Sequence, residues 1–112
     1  MPMLFFNTNL KDKDIPADFD RKLCEKVGEV LNKPIERITL TINSGLRQMR
    51  AGSPDPMVSL DIHSIGVFDK DRNPTYSPPL LTFISESLKL PQKRVVILYH
   101  DLLATNVGQN TS

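Results

Sequence analysis

The chain has little cysteine, few aromatic residues and no charge of either sign in excess. Its single thiol, Cys24, cannot close an internal disulfide, so the fold does not depend on an oxidising compartment. Dithiol redox chemistry is excluded for the same reason, because it needs two thiols within disulfide reach. With 14 basic and 13 acidic residues the formal net charge is +1, and both signs are scattered. That leaves no basic stripe for nucleic acid, which is not an expected partner. No apolar run approaches transmembrane length, so membrane insertion is not expected either. The apolar start Met3-Leu4-Phe5-Phe6 follows no basic region and fails the signal-peptide pattern, which makes a cytoplasmic location the expectation. Asn110-Thr111-Ser112 matches a glycosylation sequon, to which no secretory signal gives meaning. His63 and His100 have no further ligand at a metal spacing, so no metal site is expected. Cys24 lies beside a helical apolar stripe and reads as a small packed hydrophobe.

What the chain does have is an internal repeat. Its 112 residues suit one domain, 1–112, with a modest core, and at this size oligomerisation is a common way to bury more surface. Leu31 to Leu40 can be laid over Leu88 to Ile97, matching Leu31 with Leu88, Pro34 with Pro91 and Arg37 with Arg94, each followed by alternating aliphatics. The offset, 91 − 34 = 57, is about half the chain and divides it into repeats of about 2–56 and 57–112. Each repeat reads strand, helix, strand.

In the first repeat Phe19, Leu23, Val27, Val30 and Leu31 line one helical face, with Asp18 as the expected N-cap. In the second, Leu80, Leu81, Ile84 and Leu88 form the stripe, with Ser77 as N-cap and Pro78 in the first turn. Both helices stop before a proline, Pro34 or Pro91, whose predecessor disfavours the α region. Two such units predict an α+β fold: a four-stranded mixed sheet with two helices on one face, the split βαβ, ferredoxin-like arrangement. Leu46 to Arg50, between turn-rich stretches, reads as a minor edge strand. In the last strand Val95, Ile97 and Tyr99 should face the helices, leaving Val96 and Leu98 apolar on the opposite side. Such an outer face favours self-association over exposure to water.

The start, Met1-Pro2, places a small residue after the initiator methionine, the condition for methionine aminopeptidase to cut. Removal of Met1 would leave a prolyl secondary amine that titrates from the α-amino value of roughly 7.7–8.0. Burial or a nearby cation lowers that value toward the range of a general base at neutral pH. The plainer reading of Met-Pro is an efficient processing site. If Met1 persists, the Pro2 nitrogen is an amide and no base exists there.

Pro2-Met3, Asn7-Thr8-Asn9, Asn32-Lys33-Pro34, His63-Ser64-Ile65-Gly66, Leu88 to Arg94 and Asn106-Val107-Gly108, in that order, resemble the macrophage migration inhibitory factor and D-dopachrome tautomerase family nearly end to end. The resemblance implies a homotrimer whose sheets surround a channel, with an active site at each subunit interface. It also implies cofactor-free keto–enol tautomerase activity on small aromatic keto or enol acids such as phenylpyruvate. In many members it extends to extracellular signalling without a leader peptide, which adds a cell-surface receptor and leaderless secretion to the expectations. Carried over by residue, it makes Pro2 the catalytic base and Lys33 the substrate-binding cation, with Ser64 and Ile65 as further substrate-binding residues. Met3, Val96, Leu98 and Val107 become pocket lining. Lys33 also reads as a helix-end lysine favourable to the macrodipole, and Met3 and Val107 as core.

The chain departs from the family at several points. Val96 and Leu98 stand where the cytokine branch carries a tyrosine and an asparagine reaching in from the neighbouring subunit, so two hydrogen-bonding groups are lost. Gln109 replaces an aromatic residue, and Met57-Val58-Ser59-Leu60 replaces a Cys-x-x-Cys pair. Three readings follow: a tautomerase, a cytokine-like receptor ligand with a vestigial pocket, or a trimeric domain whose pocket has decayed.

Overall fold

The computed structural model describes residues 1–110; Thr111 and Ser112 of the sequon lie outside the described residues. Four strands, β1 (Met3–Thr8), β2 (Thr39–Asn43), β3 (Val58–Ile65) and β4 (Val95–Leu102), form one sheet in the order β2-β1-β3-β4. β1 runs parallel to β2 and antiparallel to β3, and β3 runs parallel to β4. Helices α1 (Phe19–Leu31) and α2 (Asn73–Leu88) complete the two βαβ units, giving the mixed sheet with two helices that the repeat predicts.

The repeat holds at the level of backbone angles. α1 ends at Asn32 with φ 55° and α2 at Lys89 with φ 58°, both left-handed caps. A proline follows each, then a 3-10 turn, Ile35–Arg37 or Gln92–Arg94, and then the strand. A left-handed residue stops the helical ladder and the proline forbids its resumption, so both crossovers return to the sheet by the same path.

One face of each strand supplies the core. Leu4 and Phe6 of β1 and Leu60 and Ile62 of β3 are fully buried against Phe19, Leu23 and Val27 of α1 and Leu80 and Ile84 of α2. On the opposite face Val96 and Leu98 are 37% and 47% exposed, while Val95 on the helix side is buried, as the alternation requires. At the centre of that outer face the rings of His63 and His100, paired in the β3–β4 register, stack with centroids 4.2 Å apart. Phe5 meets His63 edge-on, and Nε2 of His100 lies 2.7 Å from Oδ1 of Asp61.

Three local expectations are corrected. α2 begins at Asn73, not after Ser77, whose hydroxyl lies inside the helix 2.8 Å from that of Tyr99. The start is set by Asp69: Oδ1 accepts the N–H groups of Asp71 and Arg72, while Asp69 N–H donates to the Asn73 side chain. Pro78 and Pro79 therefore fall within the helix. Asp18 flanks α1, but its carboxylate pairs with Lys22 at 2.8 Å instead of capping backbone N–H groups. Leu46 to Arg50 is no strand; Arg50 alone bridges to Ser53 around a turn in which Ala51 and Gly52 have positive φ.

That turn is held by a buried cation. Arg94, 7% exposed, donates to the carbonyls of Arg50, Ser53, Asp55 and Pro56, and Arg50 donates back to the Arg94 carbonyl at 2.8 Å. The Asn7-Thr8-Asn9 motif does similar work from the other side: Thr8 donates to the Met57 carbonyl, and Asn9 bonds the backbone of Pro54, Asp55 and Met57.

Replacing Arg94 by Met removes its bonds to four carbonyls, of which that of Pro56 has no other donor among the described residues, while that of Asp55 keeps the Asn9 side chain and those of Arg50 and Ser53 keep their backbone bridge. Arg94→Met is expected to lose about 2–4 kcal/mol of stability in urea unfolding, with hydrogen exchange accelerated across residues 50–56. On the outer face, burial first and then the His100 ring hold the His63 imidazole below its ordinary 6.5, with Asp61 opposing. A depressed imidazole makes the unfolded chain the stronger proton binder, so this contribution to stability is lost as pH falls below about 6.5. Urea midpoints should drop between pH 7 and 5, and His63→Gln should flatten the slope.

Candidate active site at the chain start

β1 is an inner strand, so the start of the chain is fixed inside the sheet. Pro2 is fully buried, and its carbonyl accepts the Thr39 N–H at 3.1 Å, continuing the pairing with β2. Met1 lies above it, half-buried, at a cavity of about 620 Å³ lined by Met1, Glu36, Arg37, Thr39, Ile65 and Gln109. With Met1 in place the ionisable nitrogen is that of Met1. Its pKa is held below 8.0, first by burial and then by the positive fields of Lys33 and Arg37. Both causes disfavour the charged amine.

The crossover after α1 brings those cations to the chain start. Lys33 follows the left-handed Asn32, and its N–H donates to the Gly28 carbonyl at 2.8 Å. Gly28 is needed there: a Cβ would come within 2.6 Å of the Lys33 carbonyl oxygen, a contact that backbone cannot give way to cheaply. Pro34 then opens the 3-10 turn that presents Glu36 and Arg37. Among the described residues, neither the Lys33 nor the Arg37 side chain is engaged in a hydrogen bond or ion pair.

The sequence-derived residues therefore divide. Pro2, Lys33 and Ile65 gather at the chain start, two of them through their effect on the amine or the cavity wall. Ser64 faces the helix layer, fully buried, with its hydroxyl unpartnered, so its side chain is turned away from the cavity that Ile65 lines. Met3 lies on the outer face, paired with Thr39 and His63. Val96 and Leu98 share that face farther along β4, opposite Ser59 and Asp61, and do not line this cavity within one subunit. Val107 is half-buried after the turn Ala104–Asn106, two positions before Gln109 at the cavity wall. Sequence reasoning missed Glu36, Arg37 and Thr39 as lining. The signal for Arg37 was present in its repeat-mate Arg94, and that match was read only as spacing.

The terminal amine and two cations thus meet at one end of the sheet, and the sequence finds relatives over its whole length. Residues 1–112 match the family described as macrophage migration inhibitory factor (MIF). The chain belongs to that family. It is 33% identical over 111 residues to D-dopachrome decarboxylase-B of Xenopus laevis, covering 98% of this chain and 94% of that protein. To macrophage migration inhibitory factor of Mus musculus it is 32% identical over 112 residues, covering 100% and 97%. Among solved structures it resembles the macrophage migration inhibitory factor of Trichinella spiralis, with a TM-score of 0.91, 30% identity and 96% of each chain covered. Family membership supports a tautomerase or cytokine-like function at the level of the family as a whole.

Proposed function

We propose that this family member is a cofactor-free keto–enol tautomerase acting on small aromatic keto or enol acids, with the Pro2 amine as its base once Met1 is removed. The observation that carries this reading is the chain start at a cavity that Arg37 also lines, where the terminal amine of Met1 is depressed by burial, Lys33 and Arg37. Loss of Met1 moves the amine one residue inward, deeper in the sheet and in the same positive field. A larger share of it is then unprotonated at neutral pH.

The neutral amine takes a proton from the carbon next to the substrate carbonyl. The C–H electrons form the new carbon–carbon double bond, and the carbonyl π electrons move onto oxygen. Lys33 offsets the charge that develops on that oxygen, an interaction stronger in the transition state than in the ground state. The prolyl ammonium returns its proton to the oxygen, and the enol leaves with no atom gained or lost.

The assembly read for the family is a homotrimer, formed over the outer sheet face where Val96 and Leu98 are exposed. Light scattering is expected to give three times the chain mass of 12.6 kDa; a monomer at micromolar concentration would overturn this part. Membership of the macrophage migration inhibitory factor family favours a second role, as a cytokine-like ligand for a receptor.

The test of the enzyme is phenylpyruvate tautomerisation by protein shown by intact mass to start at Pro2. Its kcat/KM should rise with pH as the prolyl ammonium loses its proton. Pro2→Gly and a form retaining Met1 should each lose about a hundredfold or more. A Met1-retaining form as active as the processed one would remove Pro2 from the mechanism.

A further inference from the structure

The two repeats carry an arginine at the same place, and the structure spends them differently. Arg94 is buried and fully engaged with the carbonyls of the 50–56 turn. Arg37 is exposed, lines the cavity at the chain start and, among the described residues, has no hydrogen bond or ion pair through its side chain. Glu36 lines the same cavity but makes no ion pair with it, so the guanidinium is not neutralised locally. Lys33 is equally unpaired, and both cations act on one amine. An unpaired guanidinium in the cavity wall, with a second unpaired cation close enough to act on the amine there, favours an anionic occupant.

The two cations differ in kind. A guanidinium presents a flat fork that matches a carboxylate through two parallel N–H bonds, whereas an ammonium is a compact point charge. An α-keto acid presents two matching features: a planar carboxylate and, beside it, the one oxygen on which charge develops. Resting on the tautomerase reading above, we propose that Arg37 is the specificity-determining residue of this site and clamps the carboxylate of an α-keto acid substrate. Lys33 is thereby left for the oxygen that becomes the enolate. A carboxylate is held alike in the ground and transition states, so Arg37 governs KM, and Lys33 governs kcat.

The experiment compares phenylpyruvate with its methyl ester, using wild-type protein starting at Pro2, Arg37→Gln and Arg37→Lys. Arg37→Gln should raise KM for the acid by about tenfold to a hundredfold with kcat little changed, and leave kcat/KM for the ester unaltered. Arg37→Lys should recover part of the loss. Because Arg37 makes no internal side-chain bond, the variants should unfold at the wild-type temperature. An unchanged KM for the acid, or equal losses for acid and ester, overturns the assignment. Calorimetric binding of 4-hydroxycinnamate and of its amide gives a readout that does not need turnover. If wild-type protein converts neither substrate, the tautomerase reading fails. The assignment of Arg37 then stands on a preference for the carboxylate that Arg37→Gln abolishes, and falls if acid and amide bind alike.

Discussion

The chain begins in the middle of its own sheet. Because β1 is flanked by β2 and β3, the first residues cannot fray as most termini do, and Pro2 is held at a defined depth. Every other feature of the site is defined relative to that fixed point. The parallel partner β2 must arrive from a crossover, so the turn after α1 necessarily passes the chain start and delivers Lys33 and Arg37 to it. The antiparallel partner β3 ends on the opposite side and contributes Ile65. A site with cations on one wall and an aliphatic group on the other follows from strand order alone.

Duplication of the βαβ unit gives the molecule two similar crossovers, but only one lies beside the chain start. The second ends at Arg94, which faces a loop rich in carbonyls and serves to bind the halves together. The first ends at Arg37, whose side chain meets no carbonyl acceptor among the described residues. The difference between a structural and a functional arginine here lies in what the neighbouring chain offers as acceptor.

Much of the fold was legible because it rests on strong local signals. Alternating aliphatics set the sheet faces, and prolines after the helices set the crossovers. The start of α2 was not legible, since it depends on reciprocal bonds between Asp69 and Asn73 that Ser77-Pro78 outcompetes on paper. Leu46 to Arg50 has the composition of a strand, yet the edge it would need is occupied by a turn pinned to Arg94. In the site, the period of two along β3 already implies that Ser64 and Ile65 cannot both face one cavity. Arg37 was hidden for a different reason: whether a cation is free is a property of its surroundings in space, which spacing along the chain does not report.

The last hydrogen bond of the β1–β2 pairing is accepted by the Pro2 carbonyl, and β1 proper starts only at Met3. Met1 therefore adds no rung to the ladder. Its excision, in the proposed mature form, would cost the sheet no pairing. Under that proposal, maturation would be a chemical edit to a finished frame, an amide turned into an amine where it stands.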